Sequence, residues 1–505
     1  MNHCKITQHI IRTIFISALL FILLASQAQD DIKKFTLDDA IEIAKQQSPD
    51  ALLAKHEFRV KYWQFKSFKA SYLPSLVLRG YVPSYEKSIN KYQEKEGDVF
   101  RLTNINNVNA GLTLNQKIGL TGGDISLNSN LSMINNFLPE TDSTASFTAT
   151  EYTTTLINVE LRQPLVRYNK YKWERRIEPM LYNEAKKIYL ESMEGVSLEA
   201  TNHFFNLLLA QIEERIVLIN KANYDTLYKI AQGRYELGKI AENELLQLEL
   251  QYLRAGADVK SAALQVEDQM FKFKSFLRIQ DDIAIKLVEP SNIEPFIVNA
   301  SKALQEARYN SSEALSFNRQ LVEAQSLVAE AKYEGRFDAE LYAVYGLSNF
   351  ESNFQELTTR PQDVQTVELG ITVPILDWGV AKGRLKMAES NQEIVRTNVE
   401  QQQIDFDQKV FLLVAQFNMQ FDQVLIAAKS DTVGQKRYDI TKARYLIGKI
   451  SITDLNIAQT EADNSKKSYF NTLWRYWRYF YDIRRTTLYD FERNMPIMVD
   501  YKELL

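Results

Sequence analysis

The stretch "RYELGKI", residues 234–240, returns almost unchanged as "RYLIGKI", residues 444–450, with five of seven positions identical. The two phrases lie 210 residues apart in a chain of 505. In each phrase a glycine, Gly238 or Gly448, follows a stretch of helical composition. The turn after a helix favours a residue that tolerates positive φ, and glycine does so best. The phrases therefore predict the same helix-ending turn in two copies of one hairpin.

The repeat extends well beyond these seven residues. Pairs at the same offset of 210 include Tyr228 with Tyr438, Leu245 with Leu455, and "RQPLVRY" (162–168) with "TVPILDW" (372–378). Nearer the N-terminus, "SPDALLA" (48–54) resembles "SSEALSF" (311–317), now at an offset of 263. Similar motifs that recur in the same order indicate an internal duplication. The change of offset gives the first copy about 53 extra residues between Tyr72 and Gln163.

Both copies show the same order of elements. A first helix is predicted over 37–71 and again over 300–335, and short strands follow it. Very long helices come next, because proline is absent from Lys170 to Gly233 apart from Pro179, and from Val380 to Gly448 altogether. About 60 residues of helix would reach about 90 Å at 1.5 Å per residue.

Six segments alternate between apolar and polar residues, as strands with one apolar face do. They are "SLVLRGYV", "AGLTLNQKI", "DISLNSNLSM" and "NVELRQPL" in the first copy, and "LYAVYGL" and "VELGITVPI" in the second. Two of them belong to the extra segment, where "QKIGLTGGDISL" predicts two strands joined at Gly122-Gly123. The extra strands either widen a barrel to six strands per chain or extend a hairpin outside the membrane.

The N-terminus predicts export. Lys5 and Arg12 precede an apolar run from Ile14 to Leu24, and small residues precede Gln29, so residues 1–28 have the pattern of a signal peptide. No run of 18 apolar residues follows, which argues against a helical membrane span. A closed barrel is the other fold that satisfies every backbone group in lipid. Six strands are too few for a barrel from one chain, since the smallest such barrels have eight. We therefore expect several copies to contribute; a soluble sandwich or a coiled coil alone would explain only one of the two element types.

Composition excludes several functions. The only cysteine, Cys4, lies in the predicted signal peptide. After the signal peptide, the only histidines are His56 and His203. Thiol catalysis and Cys or His metal sites are therefore excluded, and we expect no metal and no cofactor. Past the signal peptide 58 basic residues face 64 acidic ones without a basic block, so nucleic acid is a poor candidate.

At this point the motifs resemble the TolC-like outer membrane efflux proteins. "FTLDDAIEIAKQQSPDALLAKHEFR" (35–59) is similar to the opening of that family. "SYLPSLVL" (71–78) is similar to its junction between helix and first strand, and "LRQPLVR" and "TVPILDWG" to its junctions between strand and long helix. "RYELGKIAENEL" and "RYLIGKISITDL" resemble its two hairpin turns. The resemblance covers residues 35 to 490.

The resemblance implies an α+β membrane protein that acts as a homotrimer. Duplicated long α-helical hairpins would form a periplasmic tunnel, and strands from three chains would share one transmembrane β-barrel in the lipid of the outer membrane. The implied function is a passive exit channel of a tripartite efflux pump or type I secretion system, not an enzyme. Its partners would be a periplasmic adaptor (membrane fusion protein) and an inner-membrane transporter. The alternative is a periplasmic adaptor built on helical hairpins, although such a protein would lack alternating strands in both copies. A secreted enzyme is a third possibility, but the sequence contains no motif that supports it.

The resemblance also implies a gate at the periplasmic tip. Asp454 matches the family's acidic ring in the narrow mouth, and Glu244 is its equivalent in the first hairpin, whereas Ile457 replaces a second acidic residue. The alternative for Asp454 is a helix-cap carboxylate. Residues expected in polar links between coils are Arg444, Tyr445, Arg234 and Tyr235. Residues expected at the turn tips, in reach of an adaptor, are Gly238, Lys239, Gly448 and Lys449.

These expectations divide the chain in three. Residues 1–28 are the signal peptide, 29–295 the first repeat and 296–505 the second. The first repeat would hold the extra hairpin within about 72–163 and a long helical hairpin over 170–280. The second would hold strands over 338–374 and a hairpin over 380–490. The nature of the cargo leaves no trace in the sequence.

Overall fold

A computed structural model describes residues 33–94, 97–137, 148–280, 285–290, 293 and 296–505. The predicted signal peptide lies outside the described residues. The described chain combines long helices with one large antiparallel sheet and two two-stranded sheets. The predicted α+β class is therefore confirmed.

The helices are as follows: α1 Leu37–Gln47, α2 Pro49–Ala70, α3 Lys170–Glu236, α4 Glu242–Leu277, α5 Ala300–Asn310, α6 Ser312–Glu334, α7 Val380–Leu446 and α8 Ile452–Thr487. The strands are β1 Lys33–Phe35, β2 Ser75–Glu94, β3 Gly97–Ile118, β4 Gly123–Phe137, β5 Thr148–Pro164, β6 Ile285–Leu287, β7 Asp338–Glu351, β8 Gln362–Thr372, β9 Tyr489–Asp490 and β10 Met495–Pro496. Helices α3 and α7 each have 67 residues, and α4 and α8 each have 36, so the two predicted hairpins match in length.

The prediction of one continuous helix at the start of each copy is wrong, because a one-residue break divides each helix into two. Ser48 is extended (ψ 151°) between α1 and α2. The following Pro49 explains this, since proline disfavours the helical conformation of the residue before it. Ser311 breaks the second copy in the same way (ψ 148°) without a proline. At the start of α1, Thr36 and Asp39 form a full capping box, as their spacing predicts.

Six strands form one meander in the order β2-β3-β4-β5-β7-β8, with every neighbouring pair antiparallel. The register places residues of like polarity in rows. One row on the apolar face runs Leu76, Leu114, Leu127, Val159 and Tyr345. The neighbouring row on the opposite face runs through the polar residues Asn115, Ser126 and Glu160 and ends at the apolar Val344. The six predicted strands thus lie in a single sheet, and both extra strands are part of it.

The described residues form two compact units, and each takes segments from both copies of the duplication. One unit consists of 58–187 and 312–406 and holds the six-stranded sheet. The other consists of the described residues within 33–57, 188–311 and 407–505 and holds both hairpin turns.

The second unit has a core of apolar and aromatic side chains. The aromatic segment of α8 contributes Leu473, Tyr476, Phe480 and Ile483, all of them buried. The Tyr476 ring lies 5.4 Å from that of Phe417 in α7. These side chains recur at helical spacing on one side of α8, and that side packs against neighbouring helices.

One described helix, α7, contains an 18-residue window that is long and apolar enough to cross a membrane by length and composition alone. Within the protein 39% of that window is buried, and core helices of soluble proteins pass the same test. The sequence argument that excludes a helical span is therefore too strong for this segment, since it asks for an unbroken apolar run.

Candidate functional site

Both hairpin turns close with one hydrogen-bond pattern. Gly238 has φ +64° and donates its backbone N–H to the carbonyl of Tyr235 at 2.8 Å, while Lys239 donates to the carbonyl of Arg234 at 2.8 Å. In the second turn Gly448 (φ +75°) donates to Tyr445 at 2.9 Å and Lys449 to Arg444 at 3.0 Å. These bonds satisfy the last carbonyls of α3 and α7, and the pattern needs a residue with positive φ after the helix.

We expect Gly448→Ala to destabilise the second hairpin by about 1–2 kcal/mol, because an L-residue meets steric strain at positive φ. Gly233→Ala is the matched control, since Gly233 lies inside α3 and an added Cβ would meet nothing within 4 Å. That change should instead stabilise the helix by about 0.5–1 kcal/mol. Thermal unfolding followed by circular dichroism would measure both, and a similar melting temperature for the two variants would contradict the turn assignment.

The two hairpins meet through Arg234 and Tyr445. The Arg234 guanidinium donates to the backbone carbonyl of Leu446 at 2.5 Å and to that of Tyr445 at 3.5 Å. Its Cζ also lies 5.8 Å from the centre of the Tyr445 ring. A cation from the first hairpin therefore caps the C-terminal end of α7, where the helix dipole is negative.

The corresponding residues of the other copy are placed differently. Tyr445 is buried at 4% exposure, whereas Tyr235 is 42% exposed. Arg444 is exposed, whereas Arg234 is partly buried. Burial raises the pKa of the Tyr445 hydroxyl; Arg234 opposes this and Glu244 adds to it. Only one member of each sequence-equivalent pair therefore joins the hairpins within a single chain.

Asp454 lies in the first turn of α8 and completes a capping box. Ser451 Oγ accepts from the Asp454 N–H at 3.2 Å, and Asp454 Oδ2 accepts from Ser451 N at 3.3 Å and from Ser451 Oγ at 2.8 Å. The alternative reading of Asp454 as a cap residue thus describes its contacts within one chain, although the residue remains exposed. The Ser-x-x-Asp spacing could have shown this from sequence.

The first hairpin lacks this cap. Ala241 occupies the equivalent position and makes no side-chain bond, so Glu244 is partly buried without a capping role. Ile457, one turn beyond Asp454, is 47% exposed. Lys239 and Lys449 are both exposed at the turns.

Several partly buried polar links between the hairpins are not marked by any sequence motif. Asn220 Nδ2 donates to Asp463 Oδ2 at 2.7 Å, and the Tyr224 hydroxyl donates to Asn456 at 3.2 Å. Burial raises the pKa of the Asp463 carboxyl, which Asn220 partly opposes. These groups surround an apolar cluster of Leu227, Leu248, Tyr445, Ile452 and Leu455 from all four helices. The cluster holds the hairpin ends together within the chain.

The site contains carboxylates, arginines, lysines and turn backbone. Within the described ranges no group of three or more His, Cys, Asp or Glu side chains is placed to hold a metal ion. The charged residues of such an arrangement can position charge, and the helix ends that carry them can change how they pack.

Solved structures share the architecture of this chain. CmeC, the outer membrane channel of Campylobacter jejuni, has a TM-score of 0.63 and 15% identity, with 92% of this chain and 88% of that chain covered. The outer membrane protein VceC of Vibrio cholerae has a TM-score of 0.61 and 12% identity, with 92% and 97% covered. The MtrE outer membrane channel of Neisseria gonorrhoeae, solved in its open state, has a TM-score of 0.52 and 14% identity, with 92% and 91% covered. At such identities these likenesses establish the fold.

The fold is therefore that of outer membrane channel proteins. Residues 310–473 match the family model described as outer membrane efflux protein. The predicted resemblance to TolC-like outer membrane efflux proteins is thereby confirmed. No curated protein sequence matches the chain.

Proposed function

We propose that three copies form a passive duct in the outer membrane that extends into the periplasm. The duct is the exit channel of a tripartite efflux pump or a type I secretion system, and an inner-membrane transporter supplies the energy. The observation that carries this proposal is the pairing of two matched 67-residue helices with one six-stranded sheet that has two free edges. A single such sheet cannot close, whereas several copies can.

The periplasmic tip is the proposed gate. Arg234 links the two hairpins in the closed state, and opening requires that this link loosen. Exposed Lys239 and Lys449 at the turns are the proposed contacts for carboxylates of a periplasmic adaptor. The sheet disfavours the alternative of a helical-hairpin adaptor, since such a protein has no need of six strands with one apolar face.

The channel itself is tested by reconstitution. The purified protein should insert into a planar lipid bilayer and conduct ions in steps of one size. A protein that stays monomeric and water-soluble and never inserts would contradict the proposal.

Asp454 is proposed to favour cations at the mouth, because three copies of one carboxylate around a narrow pore concentrate negative potential. We expect Asp454→Asn to lower the cation-to-anion permeability ratio, measured from reversal potentials in a salt gradient. Ser451→Ala is the matched control, since it removes the cap and retains the charge. Equal selectivity in wild type and Asp454→Asn would reduce Asp454 to its capping role.

A further inference from the structure

We propose that three copies close a wall of eighteen strands, in which the extra hairpin β3–β4 is part of the wall. We further infer that β8 of one copy pairs with β2 of the next, with Val373 opposite Leu78. The inference rests on the trimer of the proposed function. It adds the strand number and the register of the junction between copies.

The internal duplication shows where the extra hairpin lies. Strand β7 corresponds to β2, because each follows the first helices of its copy and their first residues, Asp338 and Ser75, differ by 263. Strand β8 corresponds to β5, since Pro374 just beyond β8 aligns with Pro164. In the second copy β7 and β8 are direct neighbours, whereas in the first β3 and β4 stand between β2 and β5.

The inserted strands are paired with the rest of the sheet over most of their length, β3 with β2 from Gly97 to Asn115 and β4 with β5 from Asp124 to Phe137. The β3–β4 ladder runs from Ile118 opposite Gly123 to Asn104 opposite Phe137. Their turn is also held at the helical end of the sheet, where Asn169 Nδ2 donates to the Leu120 carbonyl at 3.0 Å and Gln116 Nε2 donates to the Tyr72 carbonyl at 2.8 Å. A hairpin that merely extended outward would lack a turn at this end. The strands therefore span the same height as their neighbours.

The two outer strands of the sheet are its free edges. Among the described residues, strands β2 and β8 each have one hydrogen-bonded neighbour. An exposed edge is a template for pairing with another chain. Because the sheet has an even number of antiparallel strands, β8 of one copy runs antiparallel to β2 of the next and the ring can close.

The register of that junction follows from the junction inside the chain. Strand β5 is the last strand that the first copy gives to the six-stranded sheet, and it pairs with β7, the first such strand of the second copy, with Pro164 opposite Glu340 and Gln163 opposite Leu341. Each residue of β5 has its counterpart 210 positions later, in or just beyond β8, and each residue of β7 has its counterpart 263 positions earlier, in β2. Replacing both residues of the pair Pro164–Glu340 by their counterparts places Pro374 opposite Val77. One residue further, Val373 lies opposite Leu78, and then Thr372 opposite Arg79.

The side chains of the two edges agree with this register. Leu78 is 71% exposed and Val373 is 57% exposed in the single chain. Both lie at the alternate strand positions whose side chains form the apolar face of the sheet. A shift by one residue would place them on opposite faces of the sheet, so the pattern specifies the register strongly.

The strand number sets the width of the duct. Barrel diameter grows roughly in proportion to strand number, so eighteen strands enclose about 1.5 times the diameter of the twelve that would remain without the inserted hairpin. Barrels of 16–18 strands hold an aqueous channel. The insertion therefore widens the outer end of the exit path and admits bulkier cargo there.

Disulfide cross-linking tests the register. Cys4 is the only cysteine of the chain, so a Cys4→Ser background carries only introduced thiols. Leu78→Cys with Val373→Cys, and separately Arg79→Cys with Thr372→Cys, should convert monomers into a covalent ladder that ends at three copies on a denaturing gel. The matched control is Leu78→Cys with Leu369→Cys, because four residues along a strand move the thiol about 13 Å away. A disulfide needs Cα atoms within about 7 Å.

Each outcome separates the inference from the proposed function. A native trimer that cross-links at the in-register pairs, and not at the control pair, supports the inference. A native trimer that cross-links only at the control pair, or at no pair, overturns the register and leaves the channel intact. A protein that is monomeric by native mass spectrometry overturns the proposed function itself.

Lipid quenching tests whether β3 lies in the wall. A fluorophore on Leu112→Cys or Thr113→Cys, on opposite faces of β3, is measured in bilayers whose acyl chains carry nitroxides. Quenching at one position and not at its neighbour supports a wall strand. In the single chain, residues Phe354–Thr358 lie over part of the apolar face beside Leu112, so both positions are needed. Absence of quenching at both would place the hairpin outside the membrane and overturn the eighteen-strand wall.

Discussion

Replacing Arg484 with alanine should lower the free energy of unfolding by about 3–5 kcal/mol, the loss typical of breaking a buried ion pair. Arg484 Nε donates to Glu194 at 2.8 Å, and the same guanidinium pairs with Asp490. The side chain of Glu194 is 2% exposed and that of Asp490 is 8% exposed. Alanine would therefore leave two buried carboxylates without the guanidinium; Lys45 would remain 2.9 Å from Glu194, and the Arg493 N–H would still donate to Asp490 at 2.9 Å.

This network fastens distant segments to one another. Lys45 lies in α1, Glu194 in α3, Arg484 in the last turn of α8 and Asp490 in β9, all within one compact unit. The matched control is Arg437→Ala, whose pair with Glu461 is about half exposed. Exposed pairs contribute about 0–1 kcal/mol. Denaturant unfolding in detergent would measure the free energy of unfolding of both variants. An equal loss of stability in the two would contradict the prediction that the buried ion pairs stabilise the fold more than the exposed pair.

The same network predicts a pH dependence. Burial raises the pKa of Glu194, but Lys45 and Arg484 outweigh burial and hold it below the ordinary value of 4.5. A carboxyl with a lowered pKa in the folded state contributes stability that is present above its unfolded pKa and is lost as pH falls through the folded pKa. Wild type should therefore lose stability below about pH 4.5, and Glu194→Gln should show a smaller loss over that range.

The second large effect concerns the gate. Arg234→Ala should raise the open probability of the reconstituted channel by roughly 10–100-fold, because hydrogen bonds to a charged group contribute about 1.5–3 kcal/mol and each 1.4 kcal/mol is tenfold. The guanidinium bonds the carbonyls at the end of α7 and lies over the Tyr445 ring, so its loss removes the link between the hairpins that lies nearest the turns. Single-channel recording in a planar bilayer would measure the change.

Two further variants sharpen this test. Arg234→Lys keeps the charge but cannot reach two carbonyls with a planar fork, so we expect an intermediate effect. Lys449→Ala removes an exposed charge at the second turn, and without an adaptor in the bilayer it should leave gating unchanged. If Arg234→Ala conducts like wild type while the trimer is intact, Arg234 does not hold the gate.

The identical residues of the two phrases show where sequence reasoning ends. Arg234 and Arg444 open the two phrases and are each followed by a tyrosine, yet Arg234 caps the other hairpin and Arg444 is exposed. Local sequence cannot distinguish them, because the contact joins residues more than 200 positions apart. The break at Ser311 was equally hidden, since no proline follows it, whereas Pro49 marks the break at Ser48.

The sequence by itself determined the duplicated hairpins, their glycine turns and six alternating strands. Those features depend on spacing along the chain, on residue periodicity and on the φ that glycine tolerates. Only the tertiary structure decided that the extra strands lie between β2 and β5 in the sheet and which arginine joins the hairpins. The reason is physical: strand order and helix contacts arise from packing between distant segments, and a repeated phrase carries no record of which partner each copy meets.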